Sequence, residues 1–235
     1  MHRTAFMAKK KFVILTGAGI SAESGIATFR DAGGLWEGHD VMQVASPQGW
    51  RNNKQLVLDF YNIRRRQLQE VEPNAAHFAI AQLQKYYDVQ IITQNVDDLH
   101  ERAGSKNVLH LHGELLKVRS TLNPQDVKEW KTDLNIGDKC SKGAQLRPHI
   151  VWFGEDVPLI SEAIDICQEA DLFAIVGTSM QVYPAAGLVD YVRDDIQKYY
   201  IDPNPHPLDV SQLIVIPEKA STGVARMCAD YLKLF

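Results

Sequence analysis

The chain has 235 residues, 45% of them hydrophobic and 23% charged, a balance that excludes intrinsic disorder, collagen-like repeats and a coiled coil. With 25 Lys+Arg against 29 Asp+Glu, the formal net charge of −4 gives no electrostatic reason to expect a nucleic-acid partner. Apolar runs such as Leu172 to Val176 fall far short of the roughly 20 residues that span a bilayer, so no membrane partner is expected either. The lysines at 9 to 11 precede a glycine loop rather than an apolar stretch with a cleavage site. Cys140, Cys167 and Cys228 are too widely spaced to imply a disulfide framework. The cytoplasm is the expected compartment, and Met7 stands as an alternative start to Met1.

In chain order, the first clear strand is Phe12 to Thr16, leading into Gly17. Residues 31 to 70 then open as a loop (Asp31, Gly33, Gly34, Gly38, Pro47, Gly49) and continue as a helix from about Gln55. Asn74 is a good N-cap after Pro73, and Ala76, Ile80, Leu83 and Tyr87 recur behind it at helical spacing. Val89 to Thr93 is a second strand, leading into Gln94. Asn107 to Leu111 reads as a third, which would put His110 and His112 on one face and Leu109 and Leu111 on the other. Residues 119 to 146 are polar and weakly periodic, with Pro124 and Gly137. Ile160, Ala163, Ile164 and Cys167 mark a helix before the strand Leu172 to Val176. Tyr199 to Ile201 follows as a strand, and a last helix is expected from Gly223 onward.

Continuous apolar strands alternating with amphipathic helices predict an α/β fold, a Rossmann-like parallel sheet with helices on both faces. Residues 9–30, 71–118 and 147–235 would form it. The insertions 31–70 and 119–146 would rise from it as a smaller lobe, with the cleft between lobes as the default ligand site.

Gly17-Ala18-Gly19-Ile20-Ser21-Ala22 fits G-x-G-x-x-[G/A], where missing side chains let a pyrophosphate reach backbone N–H groups at the start of a helix. A tight strand-to-helix turn with no ligand has the same look. A dehydrogenase would need a second strand ending in an acidic residue roughly 20 residues on. Here Thr28 to Trp36 reads as a loop, which disfavours hydride transfer.

Gly17 to Ile26 (GAGISAESGI), Thr28-Phe29-Arg30, GGLW at 33 to 36, Thr93 to His100 (TQNVDDLH), His112-Gly113-Glu114, Arg147 to Glu155 (RPHIVWFGE) and Gly177-Thr178-Ser179 occur in one order. That set resembles the sirtuins, NAD-dependent protein-lysine deacylases, from about residue 11 to the C-terminus. The resemblance implies NAD as cofactor and acyl-lysine proteins or peptides as partners, with a monomer expected. It implies that an acyl-lysine carbonyl oxygen attacks C1′ of the nicotinamide ribose. Nicotinamide leaves, and His112 as base helps deprotonate ribose hydroxyls so that the 2′-oxygen attacks the resulting imidate carbon. Water then frees lysine and an O-acyl-ADP-ribose. His110 carries no such mark and reads as a partly buried, satisfied side chain.

By the same resemblance, Gly17, Ala18, Gly19, Ser21, Glu23 and Ser24 belong to the cofactor loop, together with Thr28, Phe29, Arg30, Asp31 and Trp36. Phe29 would shield the reactive sugar and Arg30 would pair with phosphate or ribose. Gln94 and Asn95 would serve the ribose hydroxyls, and Asp97 would accept from the carboxamide. The alternative for that trio is an Asx-type turn capping a helix. Asp98 is expected to cap or to face solvent. Gly177, Thr178 and Ser179 would contact the cofactor, Asp202 a ribose hydroxyl, and Ala220 would lie near the adenine.

On the substrate side, Val151, Phe153, Gly154 and Glu155 on one edge and Val182 on the other would hold an extended peptide by main-chain pairing. Val151 to Phe153 is otherwise a plain core strand. Val57, Tyr61, Arg64 and Leu68 form one helical stripe, and an arginine in such a stripe needs an anion or a route to water. Arg64-Arg65-Arg66 taken alone is a basic run on a solvated face. In the family, Tyr-x-x-Arg at this place marks acceptance of succinyl- or malonyl-lysine beside acetyl-lysine, with Arg64 on the acyl carboxylate and Tyr61 donating to it.

One departure stands out. Most sirtuins carry two zinc-binding CxxC pairs, whereas here Ser120 and Asn123 stand near the first and only Cys140 remains of the second. One thiolate cannot close a tetrahedral site, so no zinc or other metal is expected. Packing through Trp130, Leu134 and Ile136 would replace it. Mono-ADP-ribosyl transfer, NAD glycohydrolysis and a catalytically silent NAD-sensing module remain open as alternatives.

Overall fold

The computed structural model describes residues 8–27, 35–36 and 38–234. The candidates Thr28, Phe29, Arg30 and Asp31, the side chain of Trp36 and the alternative start at Met7 lie outside the described residues.

Six parallel strands form the main sheet, in the spatial order Leu213–Ile216, Gln197–Ile201, Leu172–Val176, Lys11–Thr16, Asp88–Thr93 and Val108–His110. Alternation along the first strand in the chain decides how it is covered. Phe12 and Ile14 join the core built with Ala76, Ile80 and Leu83 on the Ala75–Leu83 helix and Val224 on the Ala220–Arg226 helix. Val13 and Leu15 join the opposite core with Ala163 and Cys167 of the Ile160–Gln168 helix. A strand buried on both faces is therefore a continuous apolar run.

Besides two short helices, Val41–Val44 and Pro47–Asn52, in the stretch expected as a loop, and the unexpected antiparallel strands described below, the structure differs from the sequence reading at three elements around the main sheet. Leu213–Ile216 is an additional edge strand, short and only partly buried. The last helix starts at Ala220 rather than Gly223, and Gly223 sits where a Cβ would meet Ile201 Cγ2 at 2.4 Å. The glycine there is a close-packing residue, not a helix start. After the glycine loop there is no α-helix but two single 3₁₀ turns, Ala18–Ile20 and Ala22–Ser24. The cause is visible: the Ile20 carbonyl, which would accept from residue 24 in an α-helix, instead accepts from Asn74 Nδ2 at 2.7 Å.

A second, antiparallel sheet has the order Val127–Glu129, Gly113–Ser120, Leu146–Ile150. The helices Val41–Val44, Pro47–Asn52 and Lys54–Glu70 pack on it around Trp50, Val57, Tyr61, Val118, Leu146 and Trp152. Asn53 caps the long helix, its side chain accepting from Leu56 N–H at 3.0 Å. Val57, Tyr61 and Leu68 are buried and Arg64 is half-buried, the stripe expected from spacing.

The solvated-face reading of the arginine run fails at its centre. Arg65 is fully buried, donating from Nε to Leu115 O at 3.2 Å and from Nη1 to Asn62 Oδ1 at 2.7 Å. Burial lowers its pKa to about 10. The Asn62 side chain in turn brackets Leu134, accepting from its N–H and donating to its carbonyl. Leu134 is thus fixed in the core, while Ile136 is 57% exposed and supports nothing. Near the position of the missing cysteines, Ser120 Oγ donates to Cys140 Sγ at 3.3 Å.

Candidate functional site

The strand ends at Thr16, Thr93 and Val176 lie level in the sheet. The chain runs to one side of Lys11–Thr16 and then crosses to the other, the switch point at which open α/β sheets form a ligand crevice, and here the Gly17 and Gly177 loops meet beside it. Gly19 N–H donates to Gly177 O at 2.7 Å and Gly17 N–H to Val176 O at 3.1 Å. A Cβ on Gly19 would sit 2.7 Å from Gly177 Cα, and one on Gly177 would sit 2.3 Å from Ile20 N. Only glycine permits this backbone contact.

The loop is stitched to the polar turn that follows Asp88–Thr93. Ser21 Oγ donates to Asp97 Oδ2 at 3.0 Å, and Asn95 Nδ2 approaches Ser21 Oγ at 3.1 Å and Gly17 O at 3.2 Å. Gln94 Nε2 donates to Thr178 Oγ1 at 3.1 Å, which joins the turn to the Gly177–Ser179 segment, where Ser179 is half-buried. Glu23 is engaged elsewhere: its carboxylate accepts from Ser221 N–H at 3.0 Å and Ser221 Oγ at 2.8 Å. Ser24 Oγ accepts from Asn74 Nδ2 at 3.0 Å. Asp202 is buried and accepts from Asn204 N–H at 2.9 Å, while Ala220 packs in the core at the first turn of its helix.

Asp97 makes the Asx turn itself, accepting from Leu99 N–H at 3.2 Å. Asp98 holds the N-cap position without capping, which corrects that half of the expectation, while its side chain is 36% exposed and faces Arg102 at 3.8 Å. Burial raises the Asp97 pKa to about 6, against the pull of the Leu99 and Ser21 donors.

The strand that carries His110 ends there, and His112 follows it. Leu109 and Leu111 turn into the core while the two imidazoles point the other way. His112 Nδ1 lies 3.0 Å from Gln94 O. A carbonyl only accepts, so Nδ1 carries the proton and Nε2 keeps a free lone pair. Burial pushes the His112 pKa below its ordinary value, the Gln94 contact opposing it, so the ring is a neutral base at pH 7.

Along the peptide edge, Trp152 is buried, Val151 half-buried and Phe153 exposed, so the plain-core reading holds for Trp152 alone. The N–H groups of Val151, Trp152 and Phe153 are spent within the chain, on His112 O, Glu155 Oε2 and Ala45 O. Glu155 faces inward. Its carboxylate accepts from Arg147 at 2.6 Å and Arg119 at 3.1 Å, and these partners hold it below the usual carboxylate range although burial acts the other way. Gly154 is exposed in a left-handed turn (φ +85°), and Val182, on the opposite edge, is half-buried.

Tyr61 accepts a hydrogen bond from Trp152 Nε1 at 3.0 Å and is stacked on its ring. Burial holds the Tyr61 hydroxyl well above its ordinary pKa, in the neutral form. Arg64 lies over the Phe60 ring at 3.5 Å and donates to Phe60 O at 2.7 Å. Ile26, Ala27, Tyr61, Arg64, Val96 and Asp97 line one pocket. Asn74 and Arg147 brace these segments: Asn74 gives only a capping signal in the sequence, and Arg147 meets Glu155 by a contact whose direction no local pattern announces.

Strand order, the glycine contact at the crossing and a neutral imidazole beside a polar turn are those of a dinucleotide-binding α/β protein. Residues 17–184 match the Sir2 family, and the chain belongs to it. It is 66% identical over 194 residues to an NAD-dependent protein deacylase of Helicobacter pylori J99, covering 83% of each chain. An NAD-dependent protein deacylase of Bacteroides thetaiotaomicron is 53% identical over 225 residues, 93% of this chain and 96% of that one. The fold superposes on a crystal structure of a Sir2 homolog–NAD complex with a TM-score of 0.86 at 37% identity, covering 99% of this chain and 97% of the other.

Proposed function

We propose that this chain, an NAD-dependent protein deacylase of the Sir2 family, removes acetyl, succinyl and malonyl groups from lysine and releases O-acyl-ADP-ribose and nicotinamide. The residues at the crevice suit NAD: two glycine loops in backbone contact, and amide, hydroxyl and carboxylate groups from Gln94, Asn95, Asp97, Thr178 and Ser179. When bound, NAD supplies an activated glycosidic carbon and carries the acyl group away. Asn95 and Asp97 orient it, and His112 Nε2 takes a proton from a ribose hydroxyl, its tautomer set by Gln94 O. Acylated proteins or peptides are the substrates.

The observation that supports the acyl range is the pocket in which Tyr61 and Arg64 line the same wall system as Asp97. A guanidinium matches a carboxylate at the far end of a succinyl or malonyl chain, and a neutral tyrosine hydroxyl can donate to it. The test is mass spectrometry of acetyl-, malonyl- and succinyl-lysine peptides incubated with NAD and with the wild type or Arg64→Met. Loss of a charge-assisted pair, about 1.5–3 kcal/mol, predicts a fall in desuccinylation of roughly ten- to a hundredfold. Deacetylation should change far less, and equal losses would refute the assignment. NAD consumed without any change in the peptide would instead favour glycohydrolysis.

We also propose that the smaller lobe (31–70 and 119–146) folds without zinc, that the protein is a cytoplasmic monomer, and that neither nucleic acid nor membrane is a partner. In support, no group of three or more His, Cys, Asp or Glu among the described residues is arranged to hold a metal. No helix among them is long and apolar enough to cross a membrane.

A further inference from the structure

His110 Nε2 lies 2.7 Å from Glu101 Oε1, and its Nδ1 lies 3.1 Å from the carbonyl oxygen of Asn95. A carbonyl oxygen and an ionised carboxylate are both acceptors, so each ring nitrogen must donate. His112, two residues on, has one such partner and one free nitrogen. The side chain of His110 is 8% exposed, which keeps water from replacing either partner. We infer that His110, locked as an imidazolium between Glu101 and the Asn95 carbonyl, is the positioning residue of the Asn95–Asp97 turn.

The turn needs such a clamp. The Asn95 amide reaches back to Gly17 O and Ser21 Oγ, its N–H donates to Thr93 Oγ1 at 3.0 Å, and His110 holds its carbonyl from the other side. His110 grips the carbonyl of Asn95 as His112 grips that of Gln94. The imidazolium also faces a particular set of charges. Glu101 and His100 come from the Leu99–Arg102 helix, Asp97 from the turn itself and Glu114 from the Gly113–Ser120 strand. Burial pushes His100 well below its ordinary pKa, so it is neutral and adds no charge of its own. The His110 charge in turn favours the ionised form of Asp97 against the effect of its burial.

Burial alone would discharge His110, but the Glu101 hydrogen bond and charge outweigh it and leave its pKa above the ordinary value. The two acceptors and the raised pKa both favour the charged ring, and that state is lost as pH rises through the raised pKa. Once it is lost, one of the two acceptors has no donor and the hold on the Asn95 carbonyl weakens.

This inference rests on Asn95 and Asp97 serving NAD, so its first test needs neither NAD nor turnover. Long-range ¹H–¹⁵N spectra of the full chain labelled in histidine, at pH 7.5, should show both ring nitrogens of His110 protonated, with the signal assigned through His110→Gln. Glu101→Gln should return the ring to a neutral form at that pH. Glu101 is 40% exposed, so this variant serves even where His110→Gln fails to fold. The second test is the pH profile of kcat/KM. The wild type should lose rate on an alkaline limb, and Glu101→Gln should move that limb down by about one unit or more and lower the maximum about tenfold. A neutral His110 in the wild type at pH 7.5, or an alkaline limb unmoved in Glu101→Gln, overturns the proposal. An imidazolium in a protein that never consumes NAD would instead sink the functional reading and leave the clamp standing.

Discussion

The turn at residues 94–97 and the insertion at 119–146 are both polar and irregular, yet they are organised in opposite ways. In the turn, each of the three polar side chains is held by contacts from a separate segment. Gln94 meets the Gly177–Ser179 stretch, Asn95 the glycine loop, and Asp97 both that loop and its own following backbone. In the insertion the polar contacts are mostly local and exposed, such as Asn135 N–H to Asp138 and Gly137 N–H to Gln145. Its anchorage comes from Leu134, clasped by Asn62, from Arg66 on Asp133, from Gln69 donating to Lys131 O and from the pairing of Val127–Glu129 with the Gly113–Ser120 strand, while Ser120–Cys140 joins its two ends. A place that must present fixed donors to a ligand is over-determined. The insertion, by contrast, is held to the rest of the chain mainly by packing and pairing rather than by converging polar side chains.

That contrast orders the effects of substitution. His112→Ala removes the imidazole proposed as base beside the 94–97 turn, and deacylation should fall by ~10²–10⁴-fold with the fold intact by circular dichroism. Because the base must be neutral and its pKa is lowered, the wild-type rate should persist down to a pH below 6.5 and fall on further acidification. A wild-type acid limb above 6.5 would contradict the His112 assignment.

Gly19→Ala puts a methyl against Gly177 backbone at 2.7 Å, an overpacking of about 1–3 kcal/mol. By calorimetry it should lower Tm by several degrees, at about 2–4 °C per kcal/mol for a chain of this size, and NAD affinity should drop with it. Glu155→Gln leaves Arg147 and Arg119 without their shared carboxylate, and a comparable or slightly smaller loss of about 1–2 kcal/mol is expected. The weakest effect belongs to the insertion. Ser120→Ala should cost under about 1 kcal/mol, and a chelator should leave Tm unchanged. Elemental analysis finding one tightly held zinc per chain would reverse the view of that lobe.

Much of this organisation can be read from residues alone, for identifiable reasons. The strands Lys11–Thr16, Asp88–Thr93 and Leu172–Val176 are buried on both faces, so their apolar runs are continuous and their ends fall within one residue of the pattern. Leu213–Ile216 escapes because an edge strand of four partly buried residues has too little pattern to separate from a loop. The helix Lys54–Glu70 is clear because its stripe runs the whole length, but Arg65 cannot be told from Arg64 and Arg66. Its burial is decided by Leu115, fifty residues away. The glycine loop announces itself through composition. Its failure to continue as an α-helix does not, since the carbonyl that would extend it is taken by Asn74 from another part of the chain. For the site, His112, Asn95 and Asp97 were recognisable as residue types in motifs. Glu155 reads from the motif as a peptide contact because the motif gives its position and not its direction, and the structure turns it onto two arginines.

The central claim is that a neutral His112 at the crevice supports NAD-dependent removal of an acyl group from lysine. Its most direct test is mass spectrometry of a succinyl-lysine peptide incubated with the protein, with and without NAD. The account predicts that the peptide loses the succinyl mass only when NAD is present, that nicotinamide and O-succinyl-ADP-ribose appear in equal amounts, and that His112→Ala abolishes all three changes. An unaltered peptide beside consumed NAD, or full activity in His112→Ala, would contradict it.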